Sequence, residues 1–274
     1  MRAQRGAALL AAIATVAIVA GVAASMLYEQ DLWLRQVEVA RDSAQARIGL
    51  RAALAWAAGI LHEDARSSRA DHLREPWAAA LPLTRFDAAE IGGHITDRQG
   101  LYNLANLRRD GAVDANELAR LRRLLVRLDL PEGLAGALAL RPLSDLSELA
   151  FLPGATAEMA ARLAPYVTLL PKRTPINVNT APLVVLELIG PDLGADQAAS
   201  IVAERERAYF RDPADFRNRM TALGVKFDAE AVGTASEFFL AEATVHYGHA
   251  QLRGIALLAR EPGAWPSVVW QRFE

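Results

Sequence analysis

The stretch QRGAALLAAIATVAIVAGVAASMLYEQDLW, residues 4–33, decides how the rest of the chain is read. Residues 7–27 carry no charge. As a helix, those 21 residues rise about 1.5 Å each, roughly 31 Å in all, which matches the hydrocarbon core of a bilayer. Leu9, Leu10, Ile13, Val16, Ile18, Val19, Val22 and Leu27 supply the apolar surface, diluted by many alanines. Arg2 and Arg5 precede it, and basic residues ahead of an apolar span hold the amino terminus in the cytoplasm. A cleaved signal peptide competes with a retained anchor, because Gly21-Val22-Ala23 and Val22-Ala23-Ala24 place small residues at the usual cutting spacing.

The residues beyond Leu27 favour the anchor. From Tyr28 to Leu61 there is no proline, and Trp33, Val37, Ala40, Ala44, Ile48, Leu54, Ala58 and Leu61 recur at spacings of three, four or six. That is an amphipathic helical stripe, with Glu29, Asp31, Arg35, Glu38, Arg41 and Asp42 on the other side. The apolar span therefore continues into a helical spine reaching residue 62, a continuation that a discarded signal has no use for.

Composition bounds the remainder. The chain has 274 residues, enough for one or two folded domains after the anchor. A net charge of −2 gives no general attraction to nucleic acid or to an anionic membrane. The absence of cysteine excludes disulfides and thiolate metal sites.

Residues 62–77, HEDARSSRADHLREPW, are charged, contain Pro76 and read as an exposed connection. Residues 89–107 read as a strand region, in which Gly92-Gly93 marks a bulge or a close backbone approach. From Asp114 to about Val232 helices dominate. DANELARLRRLLVRLDL, residues 114–130, opens on capping-box spacing from Asp114 to Glu117 and aligns Leu118, Leu121, Leu125 and Leu128. Two helix-hairpin-helix patterns follow, the first around Pro153-Gly154 with Thr156 as cap. The second has Thr180 as cap, Pro182 in the first turn, a hairpin from Gly190 to Gly194 and a helix begun by Asp196. Asp212-Pro213 starts one more helix. After Gly233, period-two alternation at Phe239, Ala241, Ala243, Val245 and Tyr247 signals strands, with a turn at Gly248 and a closing strand SVVWQRFE. The order is a long helix, strand, helical block and strands, an α+β arrangement with the helices set between strands of a sheet that packs on the spine.

No catalytic signature stands out. The pair His246 and His249 lies on a strand or turn, where period two sends the rings to opposite faces, and it lacks the glutamate of a zinc-protease helix. His62, His72 and His94 are scattered singly. A membrane-rooted DNA-binding or DNA-uptake component is the alternative, since helix-hairpin-helix units often grip phosphates. Here the second hairpin, GPDLGAD, offers a proline without N–H and the carboxylates Asp192 and Asp196, while the first adds Glu158. Oxygen donors for calcium gather at Asp97, Asn103, Asn106, Asp110, Asp114 and Glu117, without EF-hand spacing. Equally, Asp114 and Glu117 cap a helix and the asparagines satisfy turn backbone. Arg108, Arg109, Arg120, Arg122, Arg123 and Arg127 form a basic face.

QRGAALL (4–10), ITDRQGLYNLANL (95–107), SELAFLPGATAEMAARLAPYVTLLP (147–171), RTPINVNTAPLVVL (173–186) and VVWQRFE (268–274) together resemble the minor pseudopilin K family of the type II secretion system. The resemblance implies a pilin-like fold, with a long amino-terminal helix on an antiparallel sheet and a large helical domain inserted between strands. It implies a leader of residues 1–6, a membrane segment 7–27, a periplasmic spine 28–62, a pilin-like domain split into 63–111 and 234–274, and a helical insertion 112–233. It further implies cleavage by a prepilin peptidase after Gly6 and methylation of the new terminus, Ala7. The inner membrane would be crossed once, with the bulk of the chain in the periplasm. The implied partners are the minor pseudopilins I and J and the major pseudopilin, with no nucleic acid. Calcium is associated with the helical domain of similar proteins. Counted from Ala7, the fifth residue is Ala11, where major pseudopilins carry a glutamate that is costly in lipid unless a neighbour's amine pairs with it. A chain without that glutamate fits a tip position.

Overall fold

The computed structural model describes residues 2–141 and 143–274, with side chains from residue 13 onward. Helix α1 runs unbroken over Arg2–Ser67. It is the one helix among the described residues long and apolar enough to cross a membrane. Gly6, Ala7 and Ala11 lie on its first turns, and their side chains fall outside the described residues.

The side chains of residues 13–41 stand exposed along α1, and burial begins near Ala46. Ala46, Leu50, Leu54, Ala57, Ala58 and Leu61 then form the stripe that meets the sheet. The spacing expected from sequence holds at Leu54, Ala58 and Leu61, whereas Trp33, Val37 and Ile48 remain exposed. The stripe is longer than the sheet that covers it.

The sheet has five antiparallel strands: β1 (Leu81–Phe86), β2 (Ala89–Asp97), β3 (Phe238–Tyr247), β4 (Ala250–Ala259) and β5 (Ser267–Phe273), in that spatial order. Strand β1 carries Pro82, which a strand tolerates at a sheet edge, where β1 lies. Gly92-Gly93 is a close backbone approach: a Cβ on Gly93 would run into the Glu242 carbonyl, and one on Gly92 into the Leu83 backbone. Ile95, Phe239, Ala241, Ala243, Val245, Ala256 and Leu258 form the face against α1. The small residues on this face bring helix and sheet close, and at Gly254 a Cβ would overlap Leu50.

Between β2 and β3 the chain builds a second core around Leu121, Leu124, Leu125, Val185, Leu186, Ile189, Phe210 and Phe216. Its helices are α2 (Ala115–Arg127), α3 (Gly133–Leu140), α4 (Ala157–Leu163), α5 (Leu183–Leu186), α6 (Ala195–Arg207) and α7 (Pro213–Ala222). The expected caps form at Asp114, Thr156 and Asp212. Thr180 does not cap α5. Its hydroxyl donates to Asp97 instead, and Pro182 takes the N-cap position.

The β3–β4 turn rests on the spine. Gly248 has φ +55°, its added Cβ would overlap the Asp42 carboxylate, and His249 N–H donates to Asp42 at 2.9 Å. Gly248→Ala combines left-handed strain with that overlap, so we expect a stability loss of about 1–3 kcal/mol. A lowered urea midpoint of the detergent-solubilised chain checks it, and an unchanged midpoint refutes it.

Candidate functional site

The residues that hold spine, sheet and helices together converge at the carboxyl end of α1. Residues 62–77 do not form the exposed connection expected from their charge. Asp64, Asp71, Glu75 and Trp77 are all buried. Asp64 lies three residues beyond Leu61 on the same stripe, so α1 carries it into the interior.

Arg260, at the end of β4, is the cation that meets them. Its Nη1 donates to Asp64 at 2.7 Å, and its Nη2 donates to both Asp71 oxygens at 2.6 and 2.7 Å. The same Nη2 reaches the Ser236 carbonyl at 2.8 Å, and the guanidinium lies 4.6 Å from the Phe239 ring centre. Ser236 N–H returns a bond to Asp71 at 2.6 Å. Glu75 takes the Trp77 indole N–H and the His72 backbone N–H, both at 2.8 Å.

Asn177, from the INVNTAP stretch, extends this network toward the helices. Its amide donates to the Asp71 carbonyl (3.1 Å), Asp97 (2.8 Å) and the Ser236 hydroxyl (3.0 Å), while its oxygen accepts from Asn179 N–H. Asn179 donates to the Phe210 carbonyl and accepts from its N–H. Asp97 is fully engaged, accepting from Gln99 N–H, Asn177, Ser236 and Thr180.

The electrostatics follow from burial. Asp71 is pushed up from 3.8 to about 7 by desolvation, against the opposing pull of Arg260 and the Ser236 N–H. Asp97 and Asp64 are also raised, first by burial, and at Asp64 the nearby Glu75 adds to the rise. Asp64, Asp71 and Glu75 each offer an oxygen within 4.8 Å of the others, the spacing of a cation site, and Arg260 supplies positive charge there.

The six oxygen-bearing residues singled out from sequence do not share one shell. Asn106, Asp114 and Glu117 line a polar cavity of about 210 Å³ with Arg109, Arg120 and Arg173. Asn106 exchanges bonds with Thr174, Asp114 caps α2 and pairs with Arg173, and Glu117 pairs with Arg120 at 2.8 Å. Asn103 is bound to Lys172, Thr174, Ala105 and Leu170. Asp97 belongs to the Asn177 network, and Asp110 sits in a tight turn at φ +51°. In the basic face, Arg108 donates to the Ala139 carbonyl and Arg123 to those of Leu188 and Gly190. The Gly194 N–H of the second hairpin is bonded to Gln197 rather than presented to a ligand.

A protein from Pseudomonas aeruginosa described as type II secretion system protein K is 30% identical over 290 residues, spanning 90% of this chain and 86% of its own. The chain belongs to the type II secretion system protein K family. A second member, from Klebsiella pneumoniae, is 26% identical over 316 residues, spanning 98% and 96% of the two chains. The family profile described as type II secretion system (T2SS), protein K matches residues 176–235, a span that begins at Ile176 and takes in Asn177 and Asn179. The fold is shared with a chain of the GspK–GspI–GspJ complex from enterotoxigenic Escherichia coli, at TM-score 0.67 and 21% identity, over 87% of this chain and 99% of that one. This protein K family member is a minor pseudopilin of type II secretion.

Two outcomes test the network. At pH 8, above the range in which Asp71 holds its proton, Arg260→Leu strands buried carboxylates without their cation and should cost about 3–5 kcal/mol, read as a lowered urea midpoint. The pH dependence has a defined sign. The folded chain holds the Asp71 proton up to about pH 7, whereas the unfolded chain releases it near 3.8, so stability falls as pH rises through that window. Asp71→Asn should flatten this slope in urea titrations across the same range, and an unaltered slope would contradict the assignment.

Proposed function

We propose that the protein acts as a tip subunit of the type II secretion pseudopilus, crossing the inner membrane once and helping to start pseudopilus assembly with minor pseudopilins I and J. Family membership carries this reading, and a spine whose exposed apolar surface extends far beyond its sheet supports it. The GspK–GspI–GspJ complex supplies the partners by analogy. On this reading the amino terminus faces the cytoplasm, residues 7–27 occupy the bilayer and the folded part lies in the periplasm. The stretches 63–111 and 234–274 form the pilin-like domain around the sheet. Residues 112–233 act as an inserted domain of helix-hairpin-helix character, supported by the separate core they build.

Processing after Gly6 would leave Ala7 as the mature, methylated terminus and Ala11 where major pseudopilins carry glutamate. Lacking that carboxylate, the chain offers no partner to the terminal amine of a subunit above it, as a topmost subunit requires. Calcium, which the resemblance associates with the helical part, would draw on Asn106, Asp114 and Glu117, which share one cavity, and would have to displace the pairing of Asp114 with Arg173 and of Glu117 with Arg120. A fold whose melting is unmoved by a chelator would remove calcium from this reading.

Co-expression of the full chain with the I and J subunits of its own system, followed by detergent purification, tests the assignment. A co-purifying complex whose K chain begins, by mass spectrometry, at methylated Ala7 is the expected result. A chain that purifies alone, or that retains residues 1–6, would count against it.

A further inference from the structure

The five-stranded sheet has two edges, and they differ in kind. On β1, Pro82 has no N–H to donate; the pairing with the inner neighbour slips once on each edge, between Leu81 and Thr84 on β1 and at Val269 on β5. On β5 every residue from Ser267 to Phe273 is exposed, including the large side chains of Val268, Val269, Trp270 and Phe273. Neither proline nor lysine guards it, and its one charge, Arg272, is drawn aside to Asp145 at 2.9 Å.

The register identifies which backbone groups are free. Arg253 and Glu274 exchange both main-chain bonds, at 2.9 and 2.8 Å, and therefore form a closely bonded pair. Alternation from that pair directs Arg272, opposite Ile255, and Trp270, opposite Leu257, toward β4. Gln271 and Phe273 consequently turn their N–H and C=O groups away from the sheet. Beside them, Val269 and Trp270 line an apolar cavity of about 440 Å³ with Leu104, Leu107, Leu138 and Leu170.

We propose that β5 is a strand-addition site, which takes an extended segment of a different polypeptide. The added strand pairs with the outward groups of Gln271 and Phe273, and an apolar side chain on its Trp270 side packs toward the cavity. A second copy of this chain pairing antiparallel at this edge does not fit that place. Two identical edges pair antiparallel about a two-fold axis normal to the sheet, and α1 lies along the sheet face. That rotation turns α1 end for end and sends the two anchors to opposite sides of the sheet, which a single bilayer forbids. A second copy offering β1 presents Pro82. The occupant is thus a strand of another membrane-anchored subunit, an identification that rests on the assembly role proposed above.

The experiment uses the full chain purified in detergent with the I and J subunits, with amide hydrogen exchange read residue by residue over 267–274. Exchange at Gln271 and Phe273 should slow by about tenfold or more in the complex. Gln271→Pro removes an outward N–H while leaving the β4 pairing intact, a change tolerated at a sheet edge. It should weaken the complex by about three- to tenfold without moving the urea midpoint. A complex that forms with unaltered exchange at both amides overturns the inference and leaves the assembly role standing. A Gln271→Pro chain that binds as tightly as its parent does the same. Absence of any complex removes the assembly role and this inference with it.

Discussion

Arg260 carries the constraint on which the architecture depends. Its guanidinium joins the end of the spine through Asp64, the following link through Asp71, and the entry to β3 through the Ser236 carbonyl. Removing such charges from water is expensive, and the cost is recovered only when geometry is good and the remaining polar atoms find partners. Ser236 and Asn177 supply several of those partners, and Asn177 hands the network on to Asn179 and the helices. The positions joined are far apart in sequence, so the network forms in full only when the spine, sheet and helical segment are in place together. A hydrophobic contact of equal strength would tolerate sliding of α1 along the sheet. Directed hydrogen bonds from one planar fork do not.

Much of this fold was legible wherever one physical signal acted alone. Period-two alternation placed β3 and β4, and cap chemistry at Asp114, Thr156 and Asp212 placed α2, α4 and α7. Legibility failed where two signals conflicted. Residues 62–77 carry the charge of a solvated connection, yet Asp64 continues the buried stripe of Leu54 and Leu61 at helical spacing. A carboxylate at an apolar position of a stripe is itself a sign of a buried partner, and the matching cation, Arg260, stands directly after the apolar run that ends β4. Thr180 precedes a helix and looked like its cap, but the buried Asp97 draws its hydroxyl away. The calcium reading rested on nearness in sequence, and the backbone instead carries Asp97 and Asn106 into separate networks.

The spine is longer than the fold it supports, and that mismatch is informative. Ala46 to Leu61 suffices to cover the sheet, yet Leu32, Trp33, Leu34, Val37 and Val39 stand exposed below it. They lie beyond the 21 uncharged residues, whose length alone suffices to cross a bilayer. Exposed apolar surface of this extent is the kind that other chains or lipid cover. The sheet repeats the pattern on a smaller scale, with one edge blunted by Pro82 and the other, β5, left open and apolar. A chain with exposed apolar surface along its axis and along one sheet edge offers neighbours two places to pack. The buried junction around Arg260 then has a mechanical meaning, because it fixes the angle between those two surfaces and so determines which arrangement of neighbours can satisfy both.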